Sequence, residues 1–66
     1  MIDMVIKYSQ EDIEATVEII EWYRDDYFNN TAMKNICNEY IEELQSSKLT
    51  DQQFNTIELI VDMWID

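Results

Sequence analysis

The 66-residue chain contains neither glycine nor proline. Glycine readily adopts the positive φ angles of tight hairpin turns, and proline presets the backbone of other turns. A sheet-rich fold needs many such turns, whereas helices can be joined by short polar loops without them. The length allows one small domain, near the limit at which a single core is sufficient. We therefore predict an all-α fold, in which residues 1–66 form a single acidic three-helix domain with a short extended N-terminal segment.

Capping residues and apolar spacing predict helix 1 over residues 10–28. Ser9 precedes Asp12 by three positions, as in a capping box, and Tyr8 and Ile13 are spaced as a hydrophobic staple. Apolar side chains then recur every three or four residues, which is the spacing of one helical face. That face is predicted to contain Ile13, Thr16, Val17, Ile20, Tyr23, Arg24 and Tyr27, widened by Ile19 and Trp22.

Polar residues at 29–31 predict a break, followed by helix 2 over residues 32–45 and a second loop at 46–48. Helix 3 is predicted to begin after Thr50, because Thr50 and Gln53 have capping-box spacing. Leu49 is placed to staple against Phe54. The predicted buried residues are Met33, Ile36, Cys37, Tyr40, Ile41 and Leu44 in helix 2 and Phe54, Ile57, Val61 and Trp64 in helix 3.

The end of helix 3 carries more apolar side chains than one helical face holds. Leu59, Ile60, Met63 and Ile65 add to the predicted buried stripe. A helix that is apolar nearly all round is either central in a bundle or part of a subunit interface. Both alternatives are compatible with the sequence, and the second would make the protein a homodimer.

Residues 1–8 alternate, with Ile2, Met4, Ile6 and Tyr8 on one side. A period of two predicts a β-strand. No second strand is evident in the chain, so this strand would pair with a copy of itself, join a partner's sheet or remain an extended arm. In the alternative interpretation, the apolar side chains pin the N-terminus onto the helices.

Fifteen acidic residues against four basic ones give a net charge of −11. On helix 1 we define an acidic ladder, formed by Glu11, Glu14, Glu18, Glu21 and Asp25, at intervals of three and four residues. These intervals place carboxylates on one face, where each like-charge pair costs about 0.2–0.5 kcal/mol. A face serving solubility alone would mix in basic residues, so the ladder indicates a surface for a basic partner. The alternative is an ordinary solvated face.

Further candidates lie beside the ladder and on helix 2. Of the aromatic side chains between residues 22 and 28, at least one is expected to meet solvent, because successive helical residues point about 100° apart. An exposed aromatic ring among carboxylates suits an arginine-rich partner. Helix 3 repeats the acidic pattern.

The candidate partner-binding residues lie on helices 1 and 2. They are Glu11, Glu14, Glu18, Glu21, Trp22, Asp25, Asp26, Glu39, Glu42 and Glu43.

Two residue types on which many catalytic and cofactor sites depend are missing. The chain has no histidine, the usual general acid–base residue, and no glycine for a phosphate-binding loop. The lone Cys37 has no second cysteine and no histidine partner, so we expect it to be a small apolar core residue. We therefore expect a protein that is not an enzyme and that has no cofactor and no defined metal site.

The chain also lacks the features of a membrane or nucleic-acid-binding protein. It contains no run of about 18 apolar residues, and its first residues lack the basic region and cleavage site of a signal peptide. Anionic lipids and nucleic-acid phosphates would both repel it. We therefore expect a cytoplasmic protein that binds neither membranes nor nucleic acid directly.

These properties predict a small acidic inhibitor that occupies the nucleic-acid-binding surface of a basic protein. In size, acidity and helical build the chain resembles phage-encoded DNA mimics, including some anti-CRISPR and anti-restriction proteins, although no shared motif carries the resemblance. One alternative is an acidic interaction module, such as an antitoxin, an immunity protein or a regulatory subunit. Another is a structural homo-oligomer, assembled through residues 1–8 or helix 3.

Overall fold

A computed structural model describes residues 8–65 of the chain. Helix α1 spans Gln10–Trp22 and continues as a π-helical turn over Tyr23–Tyr27. Helix α2 spans Thr31–Leu44, helix α3 spans Asp51–Ile65, and no strand occurs within the described part. The prediction of an all-α, three-helix fold is confirmed. The predicted strand at residues 1–8 lies, apart from Tyr8, outside the described residues, as does Asp66.

The starts of α1 and α3 are fixed by the two predicted capping boxes. The Ser9 N–H donates to Asp12 Oδ2 at 3.0 Å, and the Asp12 N–H donates back to Ser9 Oγ at 3.2 Å. At α3 the Thr50 N–H donates to Gln53 Oε1 at 3.0 Å, and the Gln53 N–H donates to Thr50 Oγ1 at 3.1 Å. Each box satisfies two backbone donors that a helix start otherwise leaves unpaired.

Helix α2 begins one residue earlier than predicted. The Asn30 side-chain oxygen accepts a 2.7 Å hydrogen bond from the Ala32 N–H, which makes Asn30 the N-cap residue and Thr31 the first helical residue. Asparagine is among the preferred N-cap residues because its short side chain reaches the free N–H groups of the first turn.

The core lies where α1 packs against both α2 and α3. Ile20, Cys37 and Leu44 are fully or almost fully buried. Burying an isoleucine or leucine side chain contributes about 1.5–3 kcal/mol, so a few such residues supply much of the stability of a domain this small. The predicted inward faces are confirmed for the residues of the buried cluster: Ile13, Val17, Ile20, Cys37, Ile41, Leu44, Phe54, Ile57 and Val61.

The π-helical turn changes which aromatic residue of helix 1 faces the core. The Phe28 N–H donates to the Tyr23 carbonyl, five residues back, at 2.8 Å. In this geometry the residue five positions on lies over the first, in place of the residue four positions on. Phe28 therefore packs on the core, whereas Tyr27 is 60% exposed. The prediction that Tyr27 faces inward is wrong for this reason.

Trp22 is also predicted to lie on the inward face of helix 1, and this prediction is wrong. Trp22 is 53% exposed, because two residues beyond the buried Ile20 the helix has turned by about 200°. Its side chain therefore lies on the side of α1 that faces solvent.

Tyr8 joins the N-terminal side of α1 to the start of α3. Its ring stacks on Phe54 with centroids 5.0 Å apart, and its hydroxyl donates to the Leu49 carbonyl at 2.7 Å. The sequence predicts Ile13 as the staple partner of Tyr8, and the ring contact in the structure is with Phe54. These two contacts join segments that are far apart in the sequence, one before α1 and one around the start of α3.

The outer face of α3 is apolar and open to solvent. Leu59, Met63 and Ile65 are 64%, 75% and 57% exposed. Helix α1 and helix α2 therefore do not enclose this face of α3, and the prediction of a subunit interface there stays a prediction. Among residues 8–65, none of the helices combines the length and the apolar character needed to cross a membrane.

Candidate acidic interaction surface

The first four residues of the acidic ladder lie on one side of α1. Glu11, Glu14 and Glu18 are exposed, and Glu21 is half-buried. At about 1.5 Å of rise per residue, the four carboxylates extend over about 15 Å of helix. Their spacing follows from the α-helical geometry that the sequence predicted for this segment.

This side of α1 borders α2. A shallow groove of about 300 Å³ is lined by Glu14 and Glu18 on α1 and by Gln45 at the end of α2. The apolar floor of the groove is formed by Ile13 and Val17. The ladder is therefore not an isolated stripe on one helix but one edge of the boundary between two helices.

Glu42 lies on the α2 side of the same boundary. Asn38 bonds to Arg24 of helix 1, and Gln45 lines the groove beside Glu14, so both mark the face of α2 that meets helix 1. Glu42 is four residues after Asn38 and three before Gln45, which places it on that face. It is exposed and adds a negative charge to the ladder's surface.

Glu43 does not share this surface. Glu43 lines a second groove of about 340 Å³, between α2 and α3, together with Tyr40 and Ile60. Glu39 is exposed and points away from the bundle, about 160° from the buried Ile41 around the helix. Around α2, Glu39 therefore lies between Glu42, which faces the boundary with helix 1, and Glu43, which faces the boundary with α3.

Asp25, the last residue of the ladder, is held by its neighbour in sequence. Arg24 donates from Nε to Asp25 Oδ1 at 2.9 Å and from Nη2 to Oδ2 at 3.2 Å. Its Nη1 donates to Asn38 Oδ1 at 2.9 Å, which ties the π-helical turn to α2. This is the single ion pair found among residues 8–65.

The ion pair changes the electrostatics of that end of the ladder. The hydrogen bond from Arg24 holds the pKa of Asp25 below its usual value, against an opposing effect of desolvation, and the positive charges of Arg24 and Lys34 lower it further. The same hydrogen bond raises the pKa of Arg24. Asp25 stays ionised, but its charge is locally compensated. The uncompensated part of the ladder therefore ends at Glu21.

An aromatic cluster lies beyond this end of the ladder. Tyr23 is buried at its centre, with Trp22, Tyr27, Phe28 and Trp64 around it at centroid distances of 5.1–5.7 Å. Trp22 and Tyr27 are both more than half exposed, and the residue before Tyr27 in the chain is the exposed Asp26. The expectation that at least one ring in this segment meets solvent is confirmed, and two do.

Cys37 offers no reactive group to this surface. Its side chain is fully buried, and burial is the main cause that raises the pKa of its thiol, while the charge of Arg24 opposes the shift. The thiol is therefore protonated at neutral pH, as expected of a small core residue. In the part of the chain that the structure describes, no three histidine, cysteine or carboxylate side chains are grouped so that they could hold a metal ion.

Sequence reasoning missed the compensation of Asp25, although the signal was present in the adjacent Arg24. It could not place Asn38, because that contact joins two helices. The resulting surface presents regularly spaced anionic groups beside exposed aromatic rings. Comparison of the chain with protein-family models, with curated proteins and with solved structures gave no match.

Proposed function

We propose that this protein is a small acidic inhibitor that binds a basic, nucleic-acid-binding protein and blocks it stoichiometrically as a DNA mimic. One observation carries the proposal. Glu11, Glu14, Glu18 and Glu21 follow one side of α1, and within residues 8–65 none of them has an ion-pair partner. Glu42 adds a fifth carboxylate across the boundary with α2.

The spacing of these charges supports occupation of a phosphate-binding groove. Neighbouring carboxylates are separated by about 4.5–6 Å along the helix axis, and one DNA strand carries one phosphate per about 3.4 Å of the DNA axis. A groove lined by lysine and arginine would therefore meet a regular row of negative charge, at a somewhat lower density than that of one DNA strand. Such a field accelerates association with a basic partner about 10- to 1,000-fold.

The proposal includes a biological setting of the anti-CRISPR or anti-restriction type. The protein would be phage-encoded and act in the cytoplasm of the host cell. It would bind its protein target and neither nucleic acid nor membranes, because both carry the same sign of charge.

A second candidate function is an acidic interaction module without nucleic-acid mimicry. The exposure of Leu59, Met63 and Ile65 on α3 favours it. In this case the apolar face would supply the affinity, and the negative charge would mainly increase the rate of encounter.

Capture from a bacterial lysate, followed by elution with duplex DNA, tests the proposal. The unmodified protein should retain a nucleic-acid-binding protein that DNA displaces. The double variant Glu14→Lys/Glu18→Lys should weaken binding of that protein about tenfold or more, because it places positive charges against a positive groove. Affinities measured by calorimetry on the captured protein give the comparison.

The chain offers a matched control for charge. Glu58→Lys/Asp62→Lys makes the same change at the same four-residue spacing, on exposed positions of α3. This variant should keep most of the affinity, and equal losses in both variants would contradict a role specific to the ladder. If Leu59→Gln/Met63→Gln abolishes capture while the ladder variant retains it, the second candidate function is correct.

A further inference from the structure

The π-helical turn places two exposed aromatic rings side by side. Trp22 and Tyr27 are five residues apart, a separation that in a continuous α-helix would point them about 140° apart. In the π geometry the fifth residue lies over the first. Their rings are accordingly near-parallel, with an interplanar angle of 28° and centroids 6.4 Å apart.

The same turn produces a buried pair with the same five-residue spacing. Tyr23 and Phe28 lie 5.7 Å apart at 35°, and both contact Trp64 of α3. Core packing accounts for this inner pair. The outer pair contacts the inner one by ring edges, but more than half of Trp22 and of Tyr27 stays in solvent. Two adjacent exposed rings form an apolar patch of the kind found at binding sites.

A carboxylate of α1 lies beside the outer pair. Glu18 lies four residues before Trp22 on the α-helical part of helix 1, a spacing that makes helical side chains neighbours, and Asp26 directly precedes Tyr27 in the π-helical turn. Both carboxylates are exposed, and neither takes part in an ion pair within the described residues. A negatively charged or purely apolar ligand would be disfavoured here, so the patch suits a cation that can also stack on a ring.

Among protein side chains, arginine fits these requirements best. Its planar guanidinium stacks on aromatic faces while its N–H groups donate to carboxylates, whereas the ammonium of lysine is a strongly hydrated point charge. We propose that Trp22 and Tyr27, with Glu18, form a receptor for an arginine side chain of the basic partner. This inference rests on the proposed function for the existence of that partner, and it names the residue type that the partner contributes.

Two synthetic peptides of equal charge test the receptor on the full chain. Calorimetry with acetylated hexa-arginine and hexa-lysine should show that the unmodified protein prefers arginine. Trp22→Leu and Tyr27→Leu keep an apolar side chain but remove the aromatic face. Each should lower the arginine-over-lysine affinity ratio about two- to fivefold and leave the affinity for hexa-lysine almost unchanged.

Leu59→Ala is the matched control, because it alters an exposed apolar residue on α3, away from the rings, and should leave the ratio unchanged. Circular dichroism confirms that each variant is folded. Equal affinities of the unmodified protein for the two peptides, no binding of either, or a ratio that survives both leucine substitutions would overturn the inference. The proposed function is judged separately by displacement of the captured protein with duplex DNA, which does not depend on the identity of the residue that the receptor binds.

Discussion

Arg24 is the residue whose role is least visible from its position in the sequence. It lies within the most acidic segment, yet its guanidinium bonds to Asp25 and to Asn38 on another helix. A surface ion pair of this kind adds little to stability. Its main effect is on the pattern of charge, because it compensates one carboxylate of the ladder and leaves the others free.

At the residue scale, the burial of Cys37 predicts a slow reaction with iodoacetamide at mildly alkaline pH. Burial raises the thiol pKa above its usual value and removes access to the sulfur. The thiol consequently contributes stability that is complete below the unfolded pKa and is lost as pH rises through the folded pKa. Mass spectrometry should show labelling at the rate of local or global opening.

The same protein unfolded in urea is the control and should be labelled at the rate of an ordinary thiol. If the folded protein reacts as fast as the unfolded one, Cys37 is accessible and its burial is disproved.

At the scale of the element, short local motifs fix where helices begin, whereas packing between helices decides how helix 1 ends. The capping boxes at Ser9 and Thr50 involve residues only three positions apart. The π-helical turn, in contrast, brings Phe28 against Trp64 of α3. A helix that remained α-helical would have placed Tyr27 in that direction.

We expect Thr50→Ala to lower the free energy of unfolding by about 1 kcal/mol, because it removes the oxygen that accepts from the Gln53 N–H. Urea denaturation followed by circular dichroism measures the loss. The change also removes the reciprocal geometry of the capping box at the start of α3.

Thr56→Ala makes the same chemical change in the interior of α3. There the threonine hydroxyl donates back to the Gln52 carbonyl, an interaction that does not favour the helix, and alanine has the higher helix propensity. This variant should be neutral or slightly more stable. A loss as large as that of Thr50→Ala would show that the cap is not the cause.

At the scale of the whole molecule, the charge of −11 is spread over a domain whose described residues contain one ion pair. Repulsion among the carboxylates opposes the compact state. The core that resists this repulsion is small, so the balance should respond to ionic strength.

Thermal stability should therefore rise with sodium chloride. The screening length falls from about 30 Å at 0.01 M to about 10 Å at 0.1 M, so distant carboxylates cease to repel. If screening recovers about 1 kcal/mol, the melting temperature rises by about 4–8 °C for a domain of this size. Glu14→Lys/Glu18→Lys, which has less charge to screen, should show a smaller rise. A constant melting temperature across this range contradicts the repulsion.

The sequence by itself determined the helical class, the starts of α1 and α3, most buried faces and the total charge. These properties depend on composition, on capping pairs a few residues apart and on the period of apolar residues, all of which are local. The N-terminal segment before Tyr8 lies outside the described residues, so its predicted strand stays a prediction.

Only the tertiary structure decided how the candidate surface is composed. Phe28, and not Tyr27, packs on the core, and Arg24 bonds to both Asp25 and Asn38. Glu42 and Glu43 lie on different sides of α2. The way the helices lie against one another decides the core position of Phe28, the Arg24–Asn38 bond and the boundaries that Glu42 and Glu43 face, and helical periodicity does not encode it. The number and spacing of the carboxylates were therefore evident from the sequence. Which of them are paired with a basic side chain and which are free was evident only from the structure.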